Sequence, residues 1–332
     1  MTIPVVNTPP ESRTPYALPQ LAGEKLNLPG WNGVFRILAS SKQTNGGLAV
    51  MAGGAIMSDP PGFHWHETAH DIFMVTKGYV KLWVGDKCRI LAPGDFAYAP
   101  PKVIHNPQWI GPHTESFCLV APGDWIDFFR FSSIPFDGLV LPENSQIRDE
   151  EKIIEMMLAA KDKFDVHYVM PHHNYHVPEL GEWLETENKL GEPGQPYFLR
   201  GNTGPRWIFA ISSIESSSTY KKSIFESYVK FATIDHCLFI VEGKLRVELQ
   251  GSSGVNELRD GETVVISAGQ GFKLDFASPF VKFFSVANGR GIETLIQESG
   301  APFEGMVLPD KAGELDSAAL ARVAKEINAT IE

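Results

Sequence analysis

The sequence predicts an all-β protein built from two barrel domains that arose by internal duplication, each followed by a helix. Three observations carry this. Short apolar runs are punctuated throughout by Gly, Pro, Asn and Asp, the texture of a β-sandwich or barrel. An octapeptide occurs twice, Pro135-Phe136-Asp137-Gly138-Leu139-Val140-Leu141-Pro142 and Pro302-Phe303-Glu304-Gly305-Met306-Val307-Leu308-Pro309, 167 residues apart (302 minus 135). A helical apolar pattern follows each copy, over about 148 to 163 and about 315 to 329.

In chain order, residues 1–30 are Pro-rich and polar and read as an arm that either crosses onto the other domain or frays. Residues 31–165 form the first domain with its closing helix, 166–195 a linker, and 196–332 the second domain with its helix. The linker holds His167, His172, His173 and His176, which lack a carboxylate at ligand spacing and read as solvated loop residues.

At 332 residues the chain is long enough for two ordinary domains, and 43% hydrophobic with 21% charged residues is a globular balance. No apolar run approaches the roughly 20 residues that span a bilayer. The N-terminus lacks the basic and apolar regions of a signal peptide. Cys88, Cys118 and Cys237 are odd in number and sit in apolar runs, so they read as buried free thiols, and the expected location is cytoplasmic. A net charge of −11 argues against nucleic acid or an anionic membrane as partner. The sequence contains no CxxC pair, GxSxG elbow or phosphate-cradling Gly loop.

The chemistry lies in His64-x-His66-x4-Asp71-x6-Gly78, followed by Gly94-x5-Pro100-x4-His105. Alternate strand residues share a face, so His64 and His66 point together. Asp71 follows across a short turn, and His105 enters from a strand opened by Gly94-Asp95. Three imidazoles and one carboxylate suit one divalent ion, with Fe, Cu, Ni, Mn and Zn fitting equally by ligand type. The duplication places Val229, Phe231, His236 and Phe272 at the corresponding positions of the second domain. One imidazole among those side chains holds no metal, so one metal per chain is expected.

These motifs resemble those of the cupin family, over nearly the whole chain. Within it the pattern is similar to the quercetin dioxygenase bicupins, two jelly-roll barrels in one chain. The first-motif spacing with Phe73 two residues past the acid carries the likeness, as do Pro122-Gly123-Asp124-Trp125 with Phe128-Phe129. So do Gly194-Gln195-Pro196-Tyr197-Phe198 with Gly204-Pro205, and Phe272-Lys273 in place of the last histidine. The resemblance implies a Cu, Fe, Ni or Mn ion in the first domain and cleavage of a flavonol by O2 with loss of carbon monoxide. One departure stands out: the family's acid is usually Glu, and Asp71 is shorter by one methylene, roughly 1.5 Å of reach.

The expected activity is a metal-dependent dioxygenase acting on an aromatic or enolic, flavonol- or polyketide-like molecule, with O2 as co-substrate. His64, His66, Asp71 and His105 are the metal ligands, Asp71 is also the general base, and Met51, Phe73, Trp83, Trp125 and Phe129 are the expected pocket walls. Glu67 follows His66 directly and is expected to face away. Two alternatives stay open: a redox-neutral metal enzyme (isomerase, cyclase, lyase or decarboxylase) and a non-catalytic ligand-binding bicupin. A homodimer is a further expectation.

Overall fold

A computed structural model describes the chain apart from residues 1, 29–31, 56–60, 112, 139–149, 170–196, 201–202, 207–208, 221–223, 304 and 306. His172, His173, His176, Gly194 to Pro196 and the end of the first octapeptide lie outside the described residues. The chain divides into two compact units, Gly23–Thr203 and Met1–Ala22 with Gly204–Glu332.

In the unit Gly23–Thr203, an eight-stranded sheet runs in the order Ile134–Pro135, Glu24–Asn27, Gly33–Ala39, Ala49–Ala55, Thr114–Ala121, His70–Lys77, Asp95–Ala99, Tyr197–Arg200. A five-stranded sheet has the order His167–Tyr168, His64–Trp65, His105–Trp109, Val80–Val84, Lys87–Leu91. Phe35, Ile37, Met51 and Phe73 of the first sheet share one core with Leu82, Val84, Leu91 and Trp109 of the second, which makes a two-sheet jelly roll. Two short pieces, Gly123–Ile126 (3-10) and Asp127–Ser132 (α), follow the last long strand. The sequence pattern anticipates no helix there, though Trp125, Phe128 and Phe129 have helical spacing and are all buried. The helix expected over about 148 to 163 spans Glu150–Phe164.

The other unit repeats the plan. Its six-stranded sheet begins at Tyr16–Leu18, which pairs with Thr263–Ile266, so residues 16–18 of the expected arm form an edge strand of this unit. Arg13 donates two hydrogen bonds to the buried carboxylate of Asp235, at 2.9 and 2.8 Å. The helix expected over about 315 to 329 spans Ser317–Glu326, with the Asp316 carboxylate capping the amides of Ala318 and Ala319. The helix Ile292–Ser299 is not anticipated by the sequence pattern.

The duplication is visible in one turn. Gly78 (φ 67°) and Gly243 (φ 86°) follow equivalent strands, and a Cβ on either would sit 2.5 Å from the His113 oxygen or 2.2 Å from the Phe280 oxygen. Only glycine fits either place. Cys88, Cys118 and Cys237 are free and buried, their thiols pushed up to about 12 by burial. Among the described residues no helix is long and apolar enough to cross a membrane.

Candidate metal centre and its cavity

His64 and His105 face one another in register across neighbouring antiparallel strands, with ring centroids 4.4 Å apart. His66, two residues on, keeps the parity of His64. Asp71 shares the inward face of its strand with Phe73 and Val75, both in the core. The four side chains are buried, and one ligand atom from each lies within 4.8 Å of the others. Among the described residues this is the sole such group.

Hydrogen bonding sets the chemistry of the imidazoles. Nδ1 of His64 is 2.8 Å from the Gly62 carbonyl, Nδ1 of His105 is 3.0 Å from that of Val103, and Nδ1 of His66 is 2.7 Å from that of Asp165. Two lone pairs do not meet at such distances, so each Nδ1 carries the proton and donates it. The Trp125 indole N–H lies 3.2 Å from Nδ1 of His66 and has no lone pair to reach there. Each Nε2 is thereby left as a lone-pair donor aimed into the centre, the arrangement of metal-ligating histidines.

That assignment creates a demand. Asp71 Oδ2 lies 3.0 Å from Nε2 of His105 and 3.4 Å from Nε2 of His66, and Nε2 of His66 has no hydrogen-bond partner. Buried lone pairs facing a carboxylate repel unless a cation stands among them, either a proton or a metal ion. With protons supplying the charge, burial raises the Asp71 carboxyl, but the positive charge of His66, 3.4 Å away, and the hydrogen bond from His105 outweigh it and hold the group well below the usual range. Burial, then repulsion from His105 and His66, drives His64 well below the ordinary imidazole value. The site can thus keep His64 neutral, and its three imidazoles and carboxylate fit one divalent ion.

Asp71 divides its two oxygens. Oδ2 faces the imidazoles, whereas the buried Oδ1 has no hydrogen-bond partner. Beside them opens an apolar cavity of about 60 Å³, lined by His64, Asp71, Met51, Phe73, Trp125 and Phe129 among others. Four of the five expected wall residues are therefore present. Trp83 is not among them. Its strand alternates, with Val80, Leu82 and Val84 fully buried, so Trp83 stands on the outer face with the Lys81 ammonium 4.6 Å from its ring centroid and the Phe63 ring in an edge-to-face arrangement, centroids 5.6 Å apart.

The walls also include Phe35, Pro107, Trp109, Phe128, Val166 and Tyr168. Pro107 and Trp109 follow His105 at i+2 and i+4, so strand parity finds them. Tyr168 carries no such signal, because its place depends on pairing opposite His64 from a distant part of the chain. Glu67 is exposed and paired with Lys102 at 2.7 Å. His70 bonds the Tyr98 hydroxyl at 2.7 Å, away from the centre.

In the second unit Val229 pairs with Phe272 as His64 pairs with His105. Phe231 and Phe272 lie 4.6 and 5.4 Å from the His236 ring. His236 accepts the Ile292 amide at 3.2 Å, and burial pushes it down to about 3, the state of a neutral core imidazole. His167 stacks on Trp65 with centroids 4.1 Å apart.

Comparison with known proteins agrees with this picture. A family model described as "Cupin domain" matches residues 47–120, which include all four residues of the centre. The chain is 27% identical over 150 residues to the quercetin 2,3-dioxygenase of Bacillus subtilis (strain 168), covering 45% of this chain and 44% of that protein, less than half its length. It is 22% identical over 315 residues to the quercetin 2,3-dioxygenase of Aspergillus japonicus, covering 83% of this chain and 90% of that protein. A crystal structure of the protein Ylba from E. coli is similar in fold, with a TM-score of 0.52 and 10% identity over 83% of this chain and 90% of that chain.

Proposed function

We propose that this chain, a two-domain member of the cupin superfamily, is a metal-dependent dioxygenase that cleaves or oxygenates an aromatic or enolic small molecule with O2. The observation that carries the reading is the convergence of three imidazoles and one carboxylate beside an apolar, aromatic-walled cavity. Bound there, a divalent ion supplies a Lewis acid that lowers the pKa of a coordinated hydroxyl.

The chain's own residues do the rest. His64, His66 and His105 hold the ion, their Nδ1 protons committed to main-chain carbonyls. Asp71, whose Oδ2 faces the imidazoles, would join them in holding the ion, and its unpartnered Oδ1 is free to take the proton of the substrate hydroxyl, as a general base. Phe73, Trp125, Phe129 and Tyr168 give a flat substrate apolar faces to lie against and exclude water. The similarity to two quercetin 2,3-dioxygenases supports O2 as co-substrate and a flavonol-like or polyketide-like ring as substrate.

Two observations favour a second reading, a redox-neutral isomerase, cyclase, lyase or decarboxylase using the same residues. Asp71 is shorter than the Glu usual in the flavonol-cleaving enzymes. The cavity, about 60 Å³, is narrow and favours a substrate smaller than a flavonol. Turnover of a flavonol, followed by oxygen electrode with and without O2, decides between the two. The dioxygenase reading expects one O2 consumed per substrate and no turnover under anaerobic conditions. Undiminished anaerobic turnover of any substrate of this enzyme refutes it.

A further inference from the structure

The three imidazoles do not owe their orientation to the same part of the chain. His64 and His105 each donate Nδ1–H to a carbonyl two residues away, Gly62 and Val103, so their tautomers are set locally. His66 donates to the carbonyl of Asp165, 99 residues away, at 2.7 Å.

Asp165 follows the helix Glu150–Phe164 and has a left-handed backbone, φ 56°. Its carboxylate accepts hydrogen bonds from the Glu67 amide at 2.6 Å, the Thr68 amide at 2.9 Å and the Thr68 hydroxyl at 2.9 Å. His167 Nε2 approaches the same carboxylate at 3.2 Å. Glu67 and Thr68 belong to the short connection that leads from His66 to Asp71. One residue therefore grips a ligand through its main chain and the connection between two ligands through its side chain. Beyond it, His167 and Tyr168 pair with Trp65 and His64, and the Val169 amide bonds the Phe63 carbonyl at 2.8 Å.

We propose that Asp165 is a positioning residue of the metal centre, fixing the Nε2 of His66 as a lone-pair donor and holding the distance from His66 to Asp71. This rests on the reading of His64, His66, Asp71 and His105 as a metal site. Partners that orient ligands in this way commonly cost 10–100-fold in metal affinity when removed. Without the carboxylate the two amides turn to water, and the connection is free to carry His66 out of line.

The test is a titration of the metal-stripped full-length protein with cobalt(II), read by its visible absorption, for wild type, Asp165→Gly and Asp165→Asn. Glycine accepts the positive φ and keeps the carbonyl while deleting the carboxylate; asparagine tolerates the same backbone and keeps one acceptor oxygen. Wild type is expected to bind one equivalent, Asp165→Gly about 10–100-fold more weakly with an altered spectrum, and Asp165→Asn in between. Thermal unfolding of the metal-free proteins separates this from general destabilisation, which would lower the melting temperature and leave the spectrum unchanged. A folded Asp165→Gly with wild-type affinity and spectrum overturns the proposal. Should that variant fail to fold, Asp165→Asn decides, with wild-type affinity and spectrum again overturning it. If wild type itself takes up no cobalt(II), the metal-site reading falls and this inference falls with it.

Discussion

Nε2 of His105 stands 3.0 Å from Oδ2 of Asp71 while Nδ1 of the same ring is bonded to the Val103 carbonyl. A ring with its proton on Nδ1 presents a lone pair to that carboxylate, and a buried pair of this kind calls for a cation. The same demand arises at His66, whose Nε2 lies 3.4 Å from the same oxygen.

One divalent ion is expected per chain, measurable by elemental analysis of the purified protein. His66→Ala should lose it. Chelation should lower the melting temperature, and restoring the ion at about 100 times its dissociation constant should return about 2.7 kcal/mol. Two ions per chain, or full metal content in His66→Ala, would contradict the single centre.

Asp71→Asn tests the division of labour between Oδ1 and Oδ2. The amide oxygen can still face the ion, and three imidazoles remain, so metal content should be largely kept. Turnover should fall by about 10²–10⁴, the range for losing a positioned acid–base group. Unchanged turnover would remove the base role; complete metal loss would make Asp71 chiefly a ligand.

His236 is buried and pushed down to about 3, below its unfolded value. The unfolded chain therefore binds the extra proton first as pH falls, and stability is lost between about 6.5 and 3. His236→Phe, matching its neighbours Phe231 and Phe272, should flatten that loss and leave metal content at wild type. Urea unfolding across this window measures it, and a drop in bound metal would assign the second unit a part in the centre.

Glu293 gives the opposite slope. Burial pushes its carboxyl up to about 7, even though the Ser285 hydroxyl donates to it and opposes the shift, and its Oε2 has no hydrogen-bond partner. The unfolded chain releases the proton first, so stability is present below about 4.5 and is lost as pH rises to about 7. Glu293→Gln should therefore be more stable than wild type at pH 8, by on the order of 3 kcal/mol at most, and nearly equal at pH 4. A difference independent of pH would mean that this carboxyl does not titrate in the window.

Much of the site was legible because strand parity is a local rule. His64, His66, Asp71 and His105 could be placed on inward faces from spacing alone, and the same rule put Glu67 outside. Applied to the strand Val80–Val84, it would also have excluded Trp83, whose neighbours Leu82 and Val84 are the buried ones. Aromatic character suggested a wall there; alternation decided against it. The loss of ligands in the second unit was equally readable, since a duplicated sequence supplies its own alignment.

Local pattern along the chain is enough to specify the two jelly rolls, the four residues of the centre and the unit that carries them. These depend on periodicity, turn glycines and repetition, which act over a few residues or recur along the chain. Tertiary structure alone decided that Asp165 holds His66, that Tyr168 lies opposite His64, and that Tyr16–Leu18 pairs with the strand Thr263–Ile266. Each of these joins segments about 100 residues apart or more. Such a contact is selected by which buried donors and sheet edges remain to be satisfied once the sheets have formed, and no local pattern records that choice.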